Sequence, residues 1–295
     1  MRSGEEAAVS PRLRGHELSA TGVTVAYDGV DVVHDAAIAL RPGEVTALVG
    51  PNGSGKSTLL RVIARLQRAR RAGLRIDADT DGLALTTREF ARHVALLTQG
   101  RPTPGGLTVR DVVEFGRYPY RGRFGRPDPD AADAVDRALA LTGVTDLAER
   151  PVDHLSGGQT QRVWLAGCLA QETGVLLLDE PTTYLDLRYQ VELLDLVRDL
   201  ADDHGIAVGV VLHDLDQAAA VADRITLLQA GRIVADGRSE EVLTPERLTA
   251  VYGIRIEVDT DPLTGRPRTR AIGRHHARGP RSTRGTIGER LGTTS

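Results

Sequence analysis

One stretch constrains this chain more than any other. The apolar run from Gly43 to Val49 gives way to Gly50-Pro51-Asn52-Gly53-Ser54-Gly55-Lys56-Ser57-Thr58, and a helical pattern begins at about Lys56. A strand that breaks at glycines and resumes as a helix turns its backbone N–H groups towards one point, beside the positive end of the helix dipole. Such a nest takes a phosphate. Lys56 is long enough to reach the β- and γ-phosphates of a nucleoside triphosphate, and the Ser57 hydroxyl can ligate Mg²⁺. Lysine is otherwise absent: every other basic residue of the chain is arginine or histidine. The one lysine stands where a compact, flexible ammonium is needed.

The rest of the pattern alternates strand-like and helical segments, which predicts an α/β domain. Gly174–Asp179 and Ile206–Leu212 are continuous apolar runs, suited to strands buried on both faces. Tyr189–Leu200 between them has helical spacing. Leu18–Ala26 and Asp31–Leu40 alternate more and predict an antiparallel edge sheet; Arg224–Leu228 and Arg232–Ala235 predict a hairpin, and Gly237–Tyr252 two short helices. From about 100 to 154 only helices are expected, over Thr108–Arg117 and Pro129–Leu141. The domain proper is expected to span 16–261, after a flexible segment 1–15.

Two further motifs carry chemistry. Val175–Leu178 ends in Asp179-Glu180: Asp179 is placed to contact Mg²⁺ through water, and Glu180 to act as the base on an attacking water. Leu155-Ser156-Gly157-Gly158-Gln159 opens a helix with Ser156 as its cap, a second helix end built for an anion. Trp164 and Cys168 on that helix are read as packing residues. With one cysteine, Cys168, the chain forms no internal disulfide.

Charge is uneven. Residues 262–295 hold eight arginines and one acid, leaving 29 basic and 39 acidic residues elsewhere. The acidic body carries no nucleic-acid footprint, and no nucleic-acid partner is expected. The tail lacks an apolar pattern and is predicted to be disordered. Its His275-His276 pair has no third ligand nearby to make a metal site. No apolar run approaches the roughly 18–20 residues that span a bilayer, and the N-terminus has no secretory h-region.

The phosphate loop, the Leu-Ser-Gly-Gly-Gln signature and the apolar strand ending Asp-Glu occur in the order found in ABC-type ATPases, and the chain resembles that family from about Leu18 to Val258. The resemblance implies a RecA-like P-loop core with an antiparallel β-subdomain and an inserted helical subdomain. It implies ATP and Mg²⁺ as ligands. It further implies that Tyr27 stacks on adenine and that Gln99, where core and helical subdomain meet, contacts Mg²⁺ and water. His213 would act on the γ-phosphate and help Glu180 hold the water. Ser156, Gly157, Gly158, Gln159 and Asp186 would reach the nucleotide of a second copy in a head-to-tail homodimer. Two departures stand out. Thr98 precedes Gln99 where many relatives have proline, and Arg68–Asp81 lacks the usual glycine turn, which leaves a local hairpin there open.

A chromosome- or repair-type ATPase needs long arms between loop and signature, and Gln99 to Ser156 leaves room for one short subdomain only. A translation-type ATPase would carry two cassettes, and an exporter half its own membrane helices. The transport reading therefore leads, although this chain alone does not separate import from export. Arg117-Tyr118-Pro119-Tyr120, the run Leu178–Asp186 and His213–Ala218 resemble the ATPases of iron–siderophore, haem and cobalamin importers. The expectation is a peripheral ATPase on the cytoplasmic face of a bacterial membrane, powering ferric-siderophore uptake through a separate permease fed by a substrate-binding protein. Haem or cobalamin import, or another ABC transport system, is the alternative.

Overall fold

The computed structural model describes residues 14–100, 105–122 and 128–274. The chain opens with antiparallel strands β1 (Leu18–Tyr27) and β2 (Val30–Leu40), then β3 (Val45–Val49), helix α1 (Lys56–Ile63) and the hairpin β4 (Arg71–Ile76) and β5 (Thr80–Asp81). A single turn, α2 (Thr87–Phe90), leads to β6 (Val94–Leu97). Helices α3 (Val109–Glu114), α4 (Ala131–Leu141) and α5 (Gly157–Ala170) follow, with a 3₁₀ turn at Phe115–Tyr120. The core resumes with β7 (Val175–Asp179), α6 (Leu187–Asp202), β8 (Ala207–Val211), α7 (Leu215–Val221), β9 (Arg224–Gln229) and β10 (Arg232–Gly237). The chain ends in α8 (Ser239–Val242), α9 (Pro245–Tyr252), β11 (Ile256–Thr260) and β12 (Pro267–Ala271).

The central sheet has the order β10-β9-β3-β8-β7-β6, parallel except for the β9–β10 hairpin; a second sheet, β2-β1-β4-β5, is antiparallel. The continuous apolar runs follow from this layering. Along β3, Val45, Ala47 and Val49 enter one core with α5, α6 and α7, while Leu48 enters another with α1 and the antiparallel sheet. Leu176 and Leu178 divide from Leu177 on β7 in the same way. Side chains alternate across a strand, so a strand covered on both faces is apolar along most of its length; Thr46 on β3 and Asp179 at the end of β7 are the buried polar exceptions in these two strands. Each such leucine or valine contributes roughly 1.5–3 kcal/mol by burial.

The structure bears on four of these readings. Helix α5 packs against α3 and α4, beyond the limit near 154 expected for the helical subdomain. The hairpin left open at Arg68–Asp81 forms, as β4 and β5. Arg14 and Gly15, at the end of the segment expected to be flexible, pack close to the core: His16 N–H donates to Gly174 O, and a Cβ on Gly174 would meet Arg14 O at 2.2 Å. The tail expected to be disordered from 262 instead carries β12, paired in register with β11; residues 275–295, with His275-His276, lie outside the described residues.

Core and helical subdomain meet at the 3₁₀ turn. Arg88 Nε and Arg92 Nε both donate to Pro119 O, at 2.9 and 3.1 Å. The Tyr120 ring lies between Arg92 and Arg117, whose guanidinium carbons are 5.4 and 4.1 Å from its centroid. Arg117 is fully buried and neutralised by Asp128 at 2.6 Å and Glu172 at 2.8 Å. Cys168 is buried and Trp164 packs against the same core.

Candidate nucleotide and hydrolysis site

The C-terminal ends of β3, β7 and β8 lie side by side, so the loops leaving them share one edge of the sheet. After β3 the phosphate loop takes conformations that favour glycine. Gly50, Gly53 and Gly55 have φ of 142°, 76° and 99°, and a Cβ on Gly50 would stand 2.1 Å from Leu228 O. Lys56 is buried, and its Nζ donates to Gly50 O at 2.8 Å and Pro51 O at 3.0 Å. Burial lowers its pKa, while Glu180 and Asp179 act to raise it. Among the described residues, this desolvated ammonium is hydrogen-bonded to backbone carbonyls rather than to a carboxylate.

β7 delivers two carboxylates in different settings. Asp179 is 1% exposed; its Oδ2 accepts from Arg61 Nη2 at 2.9 Å, and its Oδ1 has no hydrogen-bond partner. Glu180 follows at a left-handed φ of 53°, which turns its side chain out of the strand direction and towards the loops. Gln99 Nε2, just past β6, donates to Glu180 Oε2 at 2.9 Å, and His213 Nε2, just past β8, lies 2.7 Å from Glu180 Oε1. Three loops thus converge on one carboxylate.

A cleft of about 450 Å³ opens here, lined by Tyr27 and Val32 on one wall, Asn52 to Thr58 along the floor, and Glu180 and His213 at the far end. Tyr27 is 45% exposed. The donor set fits a triphosphate with Mg²⁺. The buried Ser54 Oγ and Asp179 Oδ1 are both unpartnered, and Gly50, Gly53 and Gly55 supply the positive φ values of the loop that would cradle the phosphates. Ser57 and Asp179 would hold the metal, with Gln99 beside them.

The remaining predicted residues do not line this cleft. Ser156 caps α5, with its Oγ accepting from Gln159 N at 3.3 Å and Gln159 Oε1 accepting from Ser156 N at 3.1 Å. Gly158 cannot carry a Cβ, which would meet the Tyr189 ring at 2.6 Å. Asp186 caps α6, accepting from Tyr189 N at 3.1 Å. Beside it Tyr184 is 95% exposed and Leu187 74%. Arg61 was missed in the sequence. Its signal was there: it lies four residues after Ser57, on the same face of α1.

A RecA-like core with its phosphate loop, an antiparallel subdomain and an inserted helical subdomain together define the ATP-binding cassette. A family profile described as ABC transporter matches residues 33–183, and the chain belongs to this family as its ATP-hydrolysing subunit. It is 41% identical over 263 residues to the ferric enterobactin transport ATP-binding protein FepC of Escherichia coli (strain K12), covering 89% of this chain and 95% of FepC. It is 41% identical to the probable siderophore transport system ATP-binding protein YusV of Bacillus subtilis (strain 168), covering 85% and 90%. It is 44% identical to the cobalamin import ATP-binding protein BtuD of Halobacterium salinarum (strain ATCC 29341 / DSM 671 / R1), covering 84% of this chain and 62% of that one. Among solved structures it resembles the dimeric bacterial ABC transporter cassette MJ0796, with TM-score 0.64, 26% identity, and coverage of 75% and 98%. It also resembles cbiO1 from Clostridium perfringens, part of the ABC transporter complex cbiONQ, with TM-score 0.69, 26% identity, and coverage of 80% and 94%.

Proposed function

We propose that this chain powers the import of a ferric siderophore, as a head-to-tail homodimer held at the cytoplasmic face of the membrane by a separate permease. Glu180 bridged by Gln99 and His213 at the mouth of the phosphate loop is the observation that carries the hydrolytic part. In this reading Glu180 takes a proton from the attacking water, and His213 holds the carboxylate and the γ-phosphate in line. Lys56 exchanges its two carbonyl contacts for phosphate oxygens, and Tyr27 stacks on the base. Bound Mg²⁺ would neutralise charge on the β- and γ-phosphates.

The second copy is supported by predicted sites that do not line the cleft. The capped, glycine-exposed start of α5 and the exposed Tyr184 and Leu187 beside Asp186 are laid out for a partner's nucleotide and surface. A permease is supported by the cleft of about 510 Å³ between α2 and the 3₁₀ turn, lined by Thr87, Arg88, Tyr118 and Arg121, with Tyr118 74% exposed.

For the cargo, the support is the identity to FepC and YusV over most of both chains. The Halobacterium relative favours cobalamin as the second reading. Uptake of labelled ferric siderophore and of labelled cobalamin by a deletion strain, complemented with the wild-type chain or with Glu180→Gln, tests both. Loss of siderophore uptake restored by the wild type alone is expected. Siderophore uptake at the parental rate with cobalamin uptake lost would replace the first reading by the second.

A further inference from the structure

The C-terminal hairpin is built onto the helix that leads away from His213. α7 starts at Leu215, and Asp214 caps it, its Oδ1 accepting from Asp216 N at 2.8 Å and Gln217 N at 2.9 Å. From β12, Thr269 gives both its backbone N–H and its hydroxyl to Asp216 Oδ1, at 2.7 and 2.8 Å. Arg266, just before β12, donates Nη1 to Ala219 O at 2.7 Å and also to Ala220 O. The first turn of α7 is therefore held through an acidic side chain. Its last turn is held through carbonyls that a helix end leaves without partners. Both anchors are charge-assisted, the stronger kind of hydrogen bond.

A helix of seven residues does not fix its own position, since isolated helices this short are unstable in water. α7 takes its position from the burial of Ala218, Ala219 and Val221 in the central core and from the polar groups it is tied to. On its other face Gln217 Nε2 donates to Gln190 Oε1 at 2.9 Å, and Thr182 Oγ1 donates to Gln217 Oε1 at 3.2 Å. Thr182 lies two residues beyond Glu180. The helix thus stands between the C-terminal hairpin and both members of the Glu180–His213 contact. The hairpin itself contributes little core. Of its strand residues only Ile256 is buried, and Arg266 and Thr269 spend their polar groups on α7.

We infer that the β11–β12 hairpin is a clamp that sets the position of His213, with Asp216, Thr269 and Arg266 as positioning residues. The inference rests on the reading of His213 as the partner of Glu180 in hydrolysis. The test uses the full-length chain, with phosphate release giving kcat and KM and a fluorescent ATP analogue giving Kd. Asp216→Ala/Arg266→Ala should lose about tenfold in kcat, with KM and Kd within about twofold, the pattern of a misplaced group that acts only in the transition state. Asp216→Asn keeps the Oδ1 acceptor and should stay within about twofold of wild type. Thr269→Val removes one of the two bonds and should lose about two- to threefold. Because the clamp acts through His213, adding Asp216→Ala/Arg266→Ala to His213→Ala should cost nothing more. Losses that multiply with His213→Ala, or a clamp variant with wild-type kcat, would overturn the inference alone. A wild-type rate for His213→Ala would overturn the reading of His213 and the clamp with it.

Discussion

Removing the Arg61 side chain tests how the buried carboxylate of Asp179 is maintained. Asp179 is 1% exposed, and Arg61, with 44% of its side chain exposed, is the cation on its Oδ2 at 2.9 Å. Breaking a fully buried pair by deleting one partner costs about 3–5 kcal/mol, because the other charge is left uncompensated. A fully exposed pair is worth at most about 1 kcal/mol. Arg61→Ala leaves the buried member behind but removes a half-hydrated one, so the cost lies between, at about 2 kcal/mol. For an ordered core of this size that lowers Tm by about 4–8 °C. The measurement is a thermal or urea melt with EDTA and no nucleotide, for Arg61→Ala, Asp179→Ala and the double variant. The double variant should be less destabilised than the sum of the singles by about 1–2 kcal/mol, since the uncompensated charge is gone. MgATP should restore more stability to Arg61→Ala than to wild type, as a second cation near Asp179 takes over the missing charge. Strictly additive losses, or an unchanged Tm for Arg61→Ala, would refute the reasoning.

Glu180→Gln should bind MgATP normally and turn it over at least about a hundredfold more slowly, as single-turnover phosphate release would show; Lys56→Ala should weaken both binding and turnover. In light scattering, Glu180→Gln should form dimers on MgATP, and adding Ser156→Arg should abolish them by filling the cap of α5 with a bulky cation. Gly158→Ala places a methyl group against the Tyr189 ring, and chemical unfolding should show a loss of about 1–3 kcal/mol from overpacking. Deleting 275–295 should leave kcat intact, whereas deleting 263–295 should reproduce the Asp216→Ala/Arg266→Ala phenotype.

The parts of the fold that were legible in the sequence are those where burial dictates residue type. β3, β7 and β8 read as strands because both faces are covered, and the phosphate loop reads as itself because three positive-φ positions need glycine. β6 was missed. It is four residues at the sheet edge beside Arg92-His93, too short for its period to register against its neighbours. β12 was missed for the opposite reason. Pro267-Arg268-Thr269-Arg270-Ala271 has no apolar alternation at all, since it is held by pairing with β11 and by Asp216 rather than by a hydrophobic face. Within the site, residue types were legible but pairings were not. Nothing in the spacing of Gln99, Glu180 and His213 shows that one carboxylate meets both others. That follows from β6, β7 and β8 being neighbours in the sheet.

The shortness of β6 has a mechanical meaning. Arg92, just before it, grips Pro119 O on the 3₁₀ turn beside the proposed permease cleft, and Gln99, just after it, grips Glu180. Of the six residues between them, the four of β6 run about 13 Å at the rise of a strand, and their pairing with β7 holds them extended. Core and helical subdomain are therefore joined by a push-rod of fixed length. A shift of Pro119 that moved β6 along its length would therefore bear on the Gln99 contact to Glu180. If a permease grips this turn, as proposed above, it would bear on the Gln99–Glu180 contact without touching the nucleotide.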